Sequence, residues 1–247
     1  MLVFRPTRPE SAMSAQNQPL SFGLLLFPDM TQLDLTGPFE VFARIPGVTA
    51  HLLWKTLEPV RTDRGLAIVP TATLDHCPPL DLICVPGGPG QVALMEDGEV
   101  LDFLRRVAPG CRYVTSVCTG SLVLGAAGLL RGYRATTHWA SHDQLALLGA
   151  EPVNRRVVFD RNRITGAGVT SGIDFALAVA ADVAGEDTAR LIQLQLEYEP
   201  APPFSAGSPA SAGAALTAMI TERIAPLQAR RREITRRAAA ALGLPDR

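Results

Sequence analysis

The sequence predicts an α/β fold with a mainly parallel central sheet. Short apolar runs alternate with helical patterns along the chain, which is typical of this fold class. The runs at 21–27 and 81–85 are almost continuously apolar, as expected of strands that are buried on both faces. With 247 residues and 47% hydrophobic content, the chain is long enough to bury one large core.

The elements follow one another with short connections. Residues 1–19 are polar and aperiodic, and we interpret them as a flexible extension. Strands are predicted at 21–27, 51–55, 66–70, 81–85, 112–117, 135–137, 156–159 and 163–165. Helices are predicted at 35–45, 100–107, 119–127, 141–148, 172–184, 188–198 and 214–242, the first opened by Thr36-Gly37-Pro38 and the last interrupted at Pro226.

These elements suggest a domain over residues 20–199, followed by a C-terminal loop and helices over 200–247 that pack on it. The stretch 199–213 is rich in Pro, Ser, Ala and Gly, which favours a loop. The arginines at 230–232 and 236–237 indicate a basic helix, whose simplest interpretation is a solvated face.

Composition excludes several classes of protein. The 23 basic and 24 acidic residues nearly cancel, which argues against a nucleic-acid-binding surface over the whole chain. The N-terminus lacks an apolar run of signal-peptide length and no stretch reaches the length of a membrane span, so we expect a cytoplasmic protein without a membrane partner. The four cysteines form no C-x-x-C pair, and His138 and His142 lack a third ligand, so no metal site is expected.

Cys118 is the sharpest chemical feature of the sequence. It directly follows a predicted strand and precedes Thr119-Gly120-Ser121, which opens a helix. This is the layout of a nucleophile elbow, a sharp turn that exposes the nucleophile. A helix N-terminus stabilises negative charge, so we expect a lowered pKa for the Cys118 thiol. The alternative is a buried, inert cysteine.

Other candidate site residues also follow strands, where ligands bind in sheets of this kind. Gly87 and Gly88 end one strand and would let the backbone approach a ligand closely, although an ordinary turn is the alternative. Asp34 lies between two leucines, and its desolvation would suit it to proton transfer, but on spacing alone a helix N-cap is the preferred interpretation. His138 either lines the pocket or caps a strand.

Several of these motifs resemble a known family. Val85-Pro86-Gly87-Gly88, Thr115-Ser116-Val117-Cys118-Thr119-Gly120 and Ala135-Thr136-Thr137-His138-Trp139 resemble the class I glutamine-amidotransferase-like (ThiJ/PfpI) superfamily. Within it, the segments at 33–38, 116–128, 193–198 and 201–204 look like those of isocyanide (isonitrile) hydratases. The resemblance covers about residues 21–242.

The resemblance implies a flavodoxin-like three-layer sandwich with Cys118 as the nucleophile and Asp34 as its acid–base partner. It also implies an oxyanion-type pocket built from the backbone amides of Gly88 and Thr119, with the Thr119 side chain near the thiol. The family is homodimeric and uses no cofactor. The implied reaction is the hydration of an isocyanide to an N-substituted formamide.

Two other functions remain open from the sequence. The Cys-Thr-Gly and Thr-Thr-His-Trp pattern also resembles the sensor domain of AraC-type transcription regulators, although residues 214–247 are too short for two helix-turn-helix units. A thiol hydrolase or redox-stress protein would use the same cysteine.

Overall fold

The computed structural model describes residues 19–245. The predicted flexible extension therefore lies outside the described residues, except for its last position. The strands are β1 (Leu20–Leu25), β2 (Val48–Trp54), β3 (Val60–Arg61), β4 (Ala67–Ile68), β5 (Ala72–Thr73), β6 (Leu82–Val85), β7 (Tyr113–Val117), β8 (Arg134–Ala135), β9 (Glu151–Pro152), β10 (Val157–Asp160) and β11 (Arg163–Gly166).

Seven strands form one sheet in the order β10-β11-β7-β6-β1-β2-β5. Neighbouring strands are parallel except for the edge pair β10 and β11, an antiparallel hairpin. Strands β1, β6 and β7 are buried over most of their length, as their apolar sequences predicted. The predicted α/β fold with a mainly parallel sheet is confirmed.

Two groups of helices flank this sheet. The helices are α1 (Gln32–Phe42), α2 (Gln91–Leu94), α3 (Gly98–Val107), α4 (Gly120–Ala126), α5 (Gln144–Leu147), α6 (Ser171–Ala184), α7 (Glu186–Gln195) and α8 (Pro209–Ala241). Helix α6 packs against α1 and α7, whereas α4 packs against α3, α5 and α8. Phe42 of α1 lies edge-to-face with Phe22 of β1 and Phe175 of α6, at ring-centroid distances of 5.2 and 6.0 Å, so these elements share one core.

Helix α1 begins earlier than the sequence predicted. Its N-cap is Thr31, so Pro38 lies inside the helix instead of in its first turn, and that part of the prediction was wrong. The start is set by a tertiary contact, because the backbone N–H of Thr31 donates to the carbonyl oxygen of Gly87 at 3.0 Å. Local sequence carries no signal for such a contact.

Helix α8 is broken at a different residue than predicted. The non-helical backbone is at Gly213, with φ 79° and ψ 170°, whereas Pro226 lies within the helix. Pro226 is exposed, so water can solvate the carbonyl group that loses its hydrogen bond there. The predicted interruption at Pro226 was therefore wrong.

The C-terminal part of α8 packs on the sheet-bearing part of the chain, through contacts with α2, α4 and α5. These contacts support the predicted division into residues 20–199 and 200–247, which stays a proposal. Within residues 19–245, no helix is both long enough and apolar enough to cross a membrane.

Candidate active site

The backbone at Cys118 forms a strained turn between β7 and α4. Its φ of 55° lies in the left-handed region, which is uncommon for a residue with a side chain. The N–H of Cys118 donates to the carbonyl oxygens of Gly166 and Ala167, at 3.1 and 2.7 Å. Its carbonyl oxygen accepts from Oγ1 of Thr137 at 2.8 Å and from Oγ of Ser121 at 3.2 Å. Four bonds thus hold the predicted elbow in place.

Two glycines let the ends of β6 and β7 approach the elbow. A Cβ on Gly120 would lie 2.0 Å from the carbonyl oxygen of Val85. A Cβ on Gly87 would lie 2.5 Å from the backbone nitrogen of Thr119 and 2.9 Å from Oδ2 of Asp34. Glycine is required at both positions because backbone atoms occupy the space that a side chain needs.

Asp34 is fully buried, with no solvent exposure. It is the third residue of α1, whose N-cap is Thr31, so the N-cap alternative for Asp34 is excluded. Its Oδ2 accepts from the backbone N–H of Gly87 at 3.0 Å, and its Oδ1 has no hydrogen-bond partner among residues 19–245. The thiol of Cys118 lies next to this carboxyl group, so the structure brings the two predicted groups together.

Burial raises the pKa of Asp34 to about 7. The adjacent thiol of Cys118 and the N–H of Gly87 oppose this rise in the pKa, and the negative charge of Asp63 adds to it. A carboxyl group with this pKa can both accept and release a proton near neutral pH.

Burial also raises the pKa of the Cys118 thiol well above its ordinary value. The negative charge of Asp34 raises it further, whereas the N–H of Thr119 and the guanidinium of Arg231 lower it. The predicted lowering of the thiol pKa by the helix N-terminus was therefore wrong for this site. Cys118 is only 5% exposed, and the loss of hydration of its thiolate outweighs the favourable field of the helix end. Cys118 thus rests as a thiol with a base beside it.

Gly88 and Thr119 contact each other at the edge of the site. The N–H of Gly88 donates to Oγ1 of Thr119 at 3.1 Å. Gly88 has a φ of 125°, and a Cβ there would lie 2.3 Å from the nitrogen of Thr31. These contacts do not test whether the backbone amides of Gly88 and Thr119 stabilise an oxyanion, so that predicted role stays a proposal.

His138 caps the short helical turn Trp139–Ser141, with Nδ1 accepting from the N–H of Ala140 at 3.3 Å. Burial and the positive charge of Arg231 lower the pKa of His138, so the ring is neutral at neutral pH. No hydrogen bond joins His138 to Cys118 or Asp34 in the described part of the chain. Residues 19–245 also hold no group of three His, Cys, Asp or Glu side chains that could bind a metal ion.

Arg231 is a site residue that the sequence analysis missed. It is only 4% exposed, so its interpretation as part of a solvated face was wrong. A signal was present, because Leu227, Arg231, Ile234 and Ala238 have the spacing of one helix face, and the other three are apolar. Arg231 therefore lies on the side of α8 that packs inward.

The buried carboxyl group leads to a prediction about stability. Because the pKa of Asp34 is raised, its stabilising contribution is complete below its ordinary pKa and is lost as pH rises through about 7. The Asp34→Asn variant should not lose stability as pH rises, because asparagine does not ionise. We expect the variant to be more stable than the wild type above about pH 8, by up to about 4 kcal/mol, with the advantage vanishing below about pH 4.

Urea unfolding of both proteins across this pH range, with a reducing agent present, measures the difference. A stability difference that does not change with pH would show that Asp34 ionises freely in the folded protein.

Comparisons with known proteins find a family and several proteins that are similar to this chain in sequence or in fold. The family model described as the DJ-1/PfpI family matches residues 22–182. The isonitrile hydratase of Pseudomonas putida is 60% identical over 225 residues, which cover 91% of this chain and 99% of that protein. A ThiJ/PfpI family protein from Pseudomonas syringae has a solved structure with a TM-score of 0.86 and 42% identity, covering 93% of this chain and 98% of that one.

A transcription regulator is also similar to part of the chain. The HTH-type transcriptional regulator GbdR of Pseudomonas aeruginosa is 32% identical over 189 residues, covering 73% of this chain and 51% of the regulator. The similarity to that protein is thus limited to about half of its length.

Proposed function

Because this chain belongs to the DJ-1/PfpI family, we propose that it is an enzyme that hydrates an organic isocyanide to the corresponding N-substituted formamide. The observation that carries this function is the similarity to the isonitrile hydratase of Pseudomonas putida, which extends over nearly the whole of both chains. The buried Cys118–Asp34 pair supports a cysteine-dependent mechanism.

The first half of the proposed reaction forms a covalent bond to sulfur. Asp34 accepts the thiol proton of Cys118 as the sulfur attacks the terminal carbon of R–N≡C. The same proton then passes from Asp34 to that carbon, which gives the thioimidate R–N=CH–S–Cys118. The raised pKa of Asp34 suits both transfers, because the carboxyl group gains and loses a proton near neutral pH.

The second half restores the thiol. Asp34 takes a proton from water as the water oxygen adds to the thioimidate carbon, and it passes this proton to the nitrogen, which gives R–NH–CH(OH)–S–Cys118. Collapse of this intermediate breaks the carbon–sulfur bond and releases R–NH–CHO, and the hydroxyl proton passes through Asp34 to the departing thiolate. We propose that the amides of Gly88 and Thr119 stabilise charge in this step, with Gly87 and His138 lining the pocket. These steps need no cofactor.

The proposal is tested by incubating the purified protein with a simple alkyl isocyanide. We expect one molecule of formamide for each molecule of isocyanide consumed. The loss of the isocyanide infrared band measures consumption, and the formyl proton signal in the NMR spectrum measures product formation. A protein that leaves the isocyanide unchanged beyond the rate in buffer would contradict the proposed function.

The two other functions left open by the sequence are not favoured. A sensor domain of a transcription regulator has support from the partial similarity to GbdR, at lower identity than the hydratase. A thiol hydrolase or redox-stress function is less favoured because the glutathione-independent glyoxalase DJR-1.2 of Caenorhabditis elegans is only 28% identical to this chain, against 60% for the hydratase.

We propose further that the enzyme acts as a cytoplasmic homodimer. Apolar side chains on α7, α8 and the loop between them are exposed, among them Leu194, Phe204 and Met219, and such patches commonly mark contacts between subunits. Sedimentation equilibrium should give twice the chain mass of 26.3 kDa, and a monomer at micromolar concentration would contradict the dimer.

A further inference from the structure

The guanidinium of Arg231 is a buried positive charge without a carboxylate beside it. Within residues 19–245, no Asp or Glu oxygen lies within ion-pair distance of Arg231. Its bonds are to neutral oxygens, from Nε to Oε1 of Gln91 at 2.8 Å and from Nη1 to Oγ of Ser141 at 3.2 Å. A buried, unpaired charge is costly, so its retention here requires an explanation.

The two partners of Arg231 connect it to both sides of the candidate site. The N–H of Gln91 bonds to the carbonyl oxygen of Gly88, and the N–H of Ser141 bonds to the carbonyl oxygen of His138. The guanidinium therefore spans the space between the Gly88 turn and the His138 segment. The guanidinium also interacts electrostatically with Cys118.

Arg231 lies outside residues 22–182, the part of the chain that the family model matches. The part of the chain that the family model matches thus contains Cys118 and Asp34, whereas the positive charge of Arg231 comes from the C-terminal helix α8. Arg236 on the same helix is exposed and makes no ion pair within the described residues, so burial distinguishes Arg231 from a neighbouring arginine.

We propose that Arg231 is a positioning residue, whose charge favours the thiolate form of Cys118 when the sulfur attacks the substrate. This inference rests on the proposed function only for the identity of the substrate. When the thiol proton passes to Asp34 or to solvent, the sulfur becomes negatively charged, and the positive charge of Arg231 offsets this charge. Asp63 and Cys84 are the other titratable groups that interact with Asp34, and burial raises the pKa of Cys84 to about 12. His138 interacts with Arg231 and is neutral.

The test measures the rate at which iodoacetamide alkylates Cys118 as a function of pH, a step that needs no isocyanide. Arg231→Gln removes the charge but can still donate to Gln91 and Ser141. We expect its alkylation rate near neutral pH to fall about tenfold, which corresponds to a rise of about one unit in the apparent pKa of the thiol. The rates of variant and wild type should converge at high pH.

Arg231→Lys keeps a positive charge and should recover most of the lost rate, whereas Arg236→Met should behave as the wild type. Arg231→Met is a second neutral replacement if the glutamine variant does not fold. An alkylation profile that is unchanged in the neutral variants, or equally impaired in the lysine variant, would overturn the proposal.

Hydration kinetics separate this inference from the proposed function. We expect the neutral variants to lose kcat by a factor similar to the loss in alkylation rate, with KM little changed. If the wild type does not hydrate isocyanides but alkylation still depends on the charge at position 231, the function fails and the inference about Arg231 stands.

Discussion

Replacing Cys118 by alanine is expected to abolish formamide production. The alanine side chain cannot form the carbon–sulfur bond, and water alone would have to attack a carbon that is poorly electrophilic without a proton. We expect the rate to fall about 10³-fold or more, as is usual when a covalent nucleophile is removed. Product formation is followed by NMR at a fixed isocyanide concentration.

Cys111→Ala is the matched control for this experiment. Cys111 is also buried, and burial raises the pKa of its thiol to about 11, but it lies just before β7, at the opposite end of the strand from the elbow. We expect this variant to keep the wild-type rate. Full activity in Cys118→Ala, with the control also active, would end the cysteine mechanism.

Asp34→Asn is expected to separate the reactivity of the thiol from turnover. The amide cannot accept the thiol proton or deliver it to the terminal carbon, so hydration should slow by about 10²–10⁴-fold, the usual contribution of general acid–base catalysis. Iodoacetamide should still alkylate Cys118, because this reaction needs only the small thiolate fraction that is present at any pH. Alkylation is read by the mass of the peptide that contains Cys118.

Asp102→Asn provides the matched change at an exposed carboxylate that pairs with Arg105. It should leave both the hydration and the alkylation rates unchanged. An Asp34→Asn variant that hydrates isocyanides at the wild-type rate would remove Asp34 from the mechanism.

The sequence was sufficient to locate the elbow and the residues beside it. Cys118 follows an apolar strand and precedes small residues, and this local pattern can be recognised without knowledge of the tertiary structure. Asp34 and Gly87 follow other strands, and the parallel order of β1, β6 and β7 brings the ends of those strands together.

Features that depend on tertiary packing could not be predicted in this way. The direction of the Cys118 pKa change is set by how completely its surroundings exclude water, which local sequence does not report. The start of α1 depends on the bond between Thr31 and Gly87, which are 56 positions apart in the chain. The burial of Arg231 depends on where α8 docks, although its spacing from apolar neighbours was a usable signal.

The most direct test of the central claim is the mass of the Cys118 peptide during turnover. The wild type is mixed with an alkyl isocyanide whose terminal carbon carries ¹³C, quenched in acid at short times and digested for mass spectrometry. The account predicts a transient adduct on Cys118 with the full mass of the isocyanide and with the label, which disappears as labelled formamide forms. Steady formation of labelled formamide with Cys118 unmodified at every time point, in an experiment able to resolve a single turnover, would contradict it.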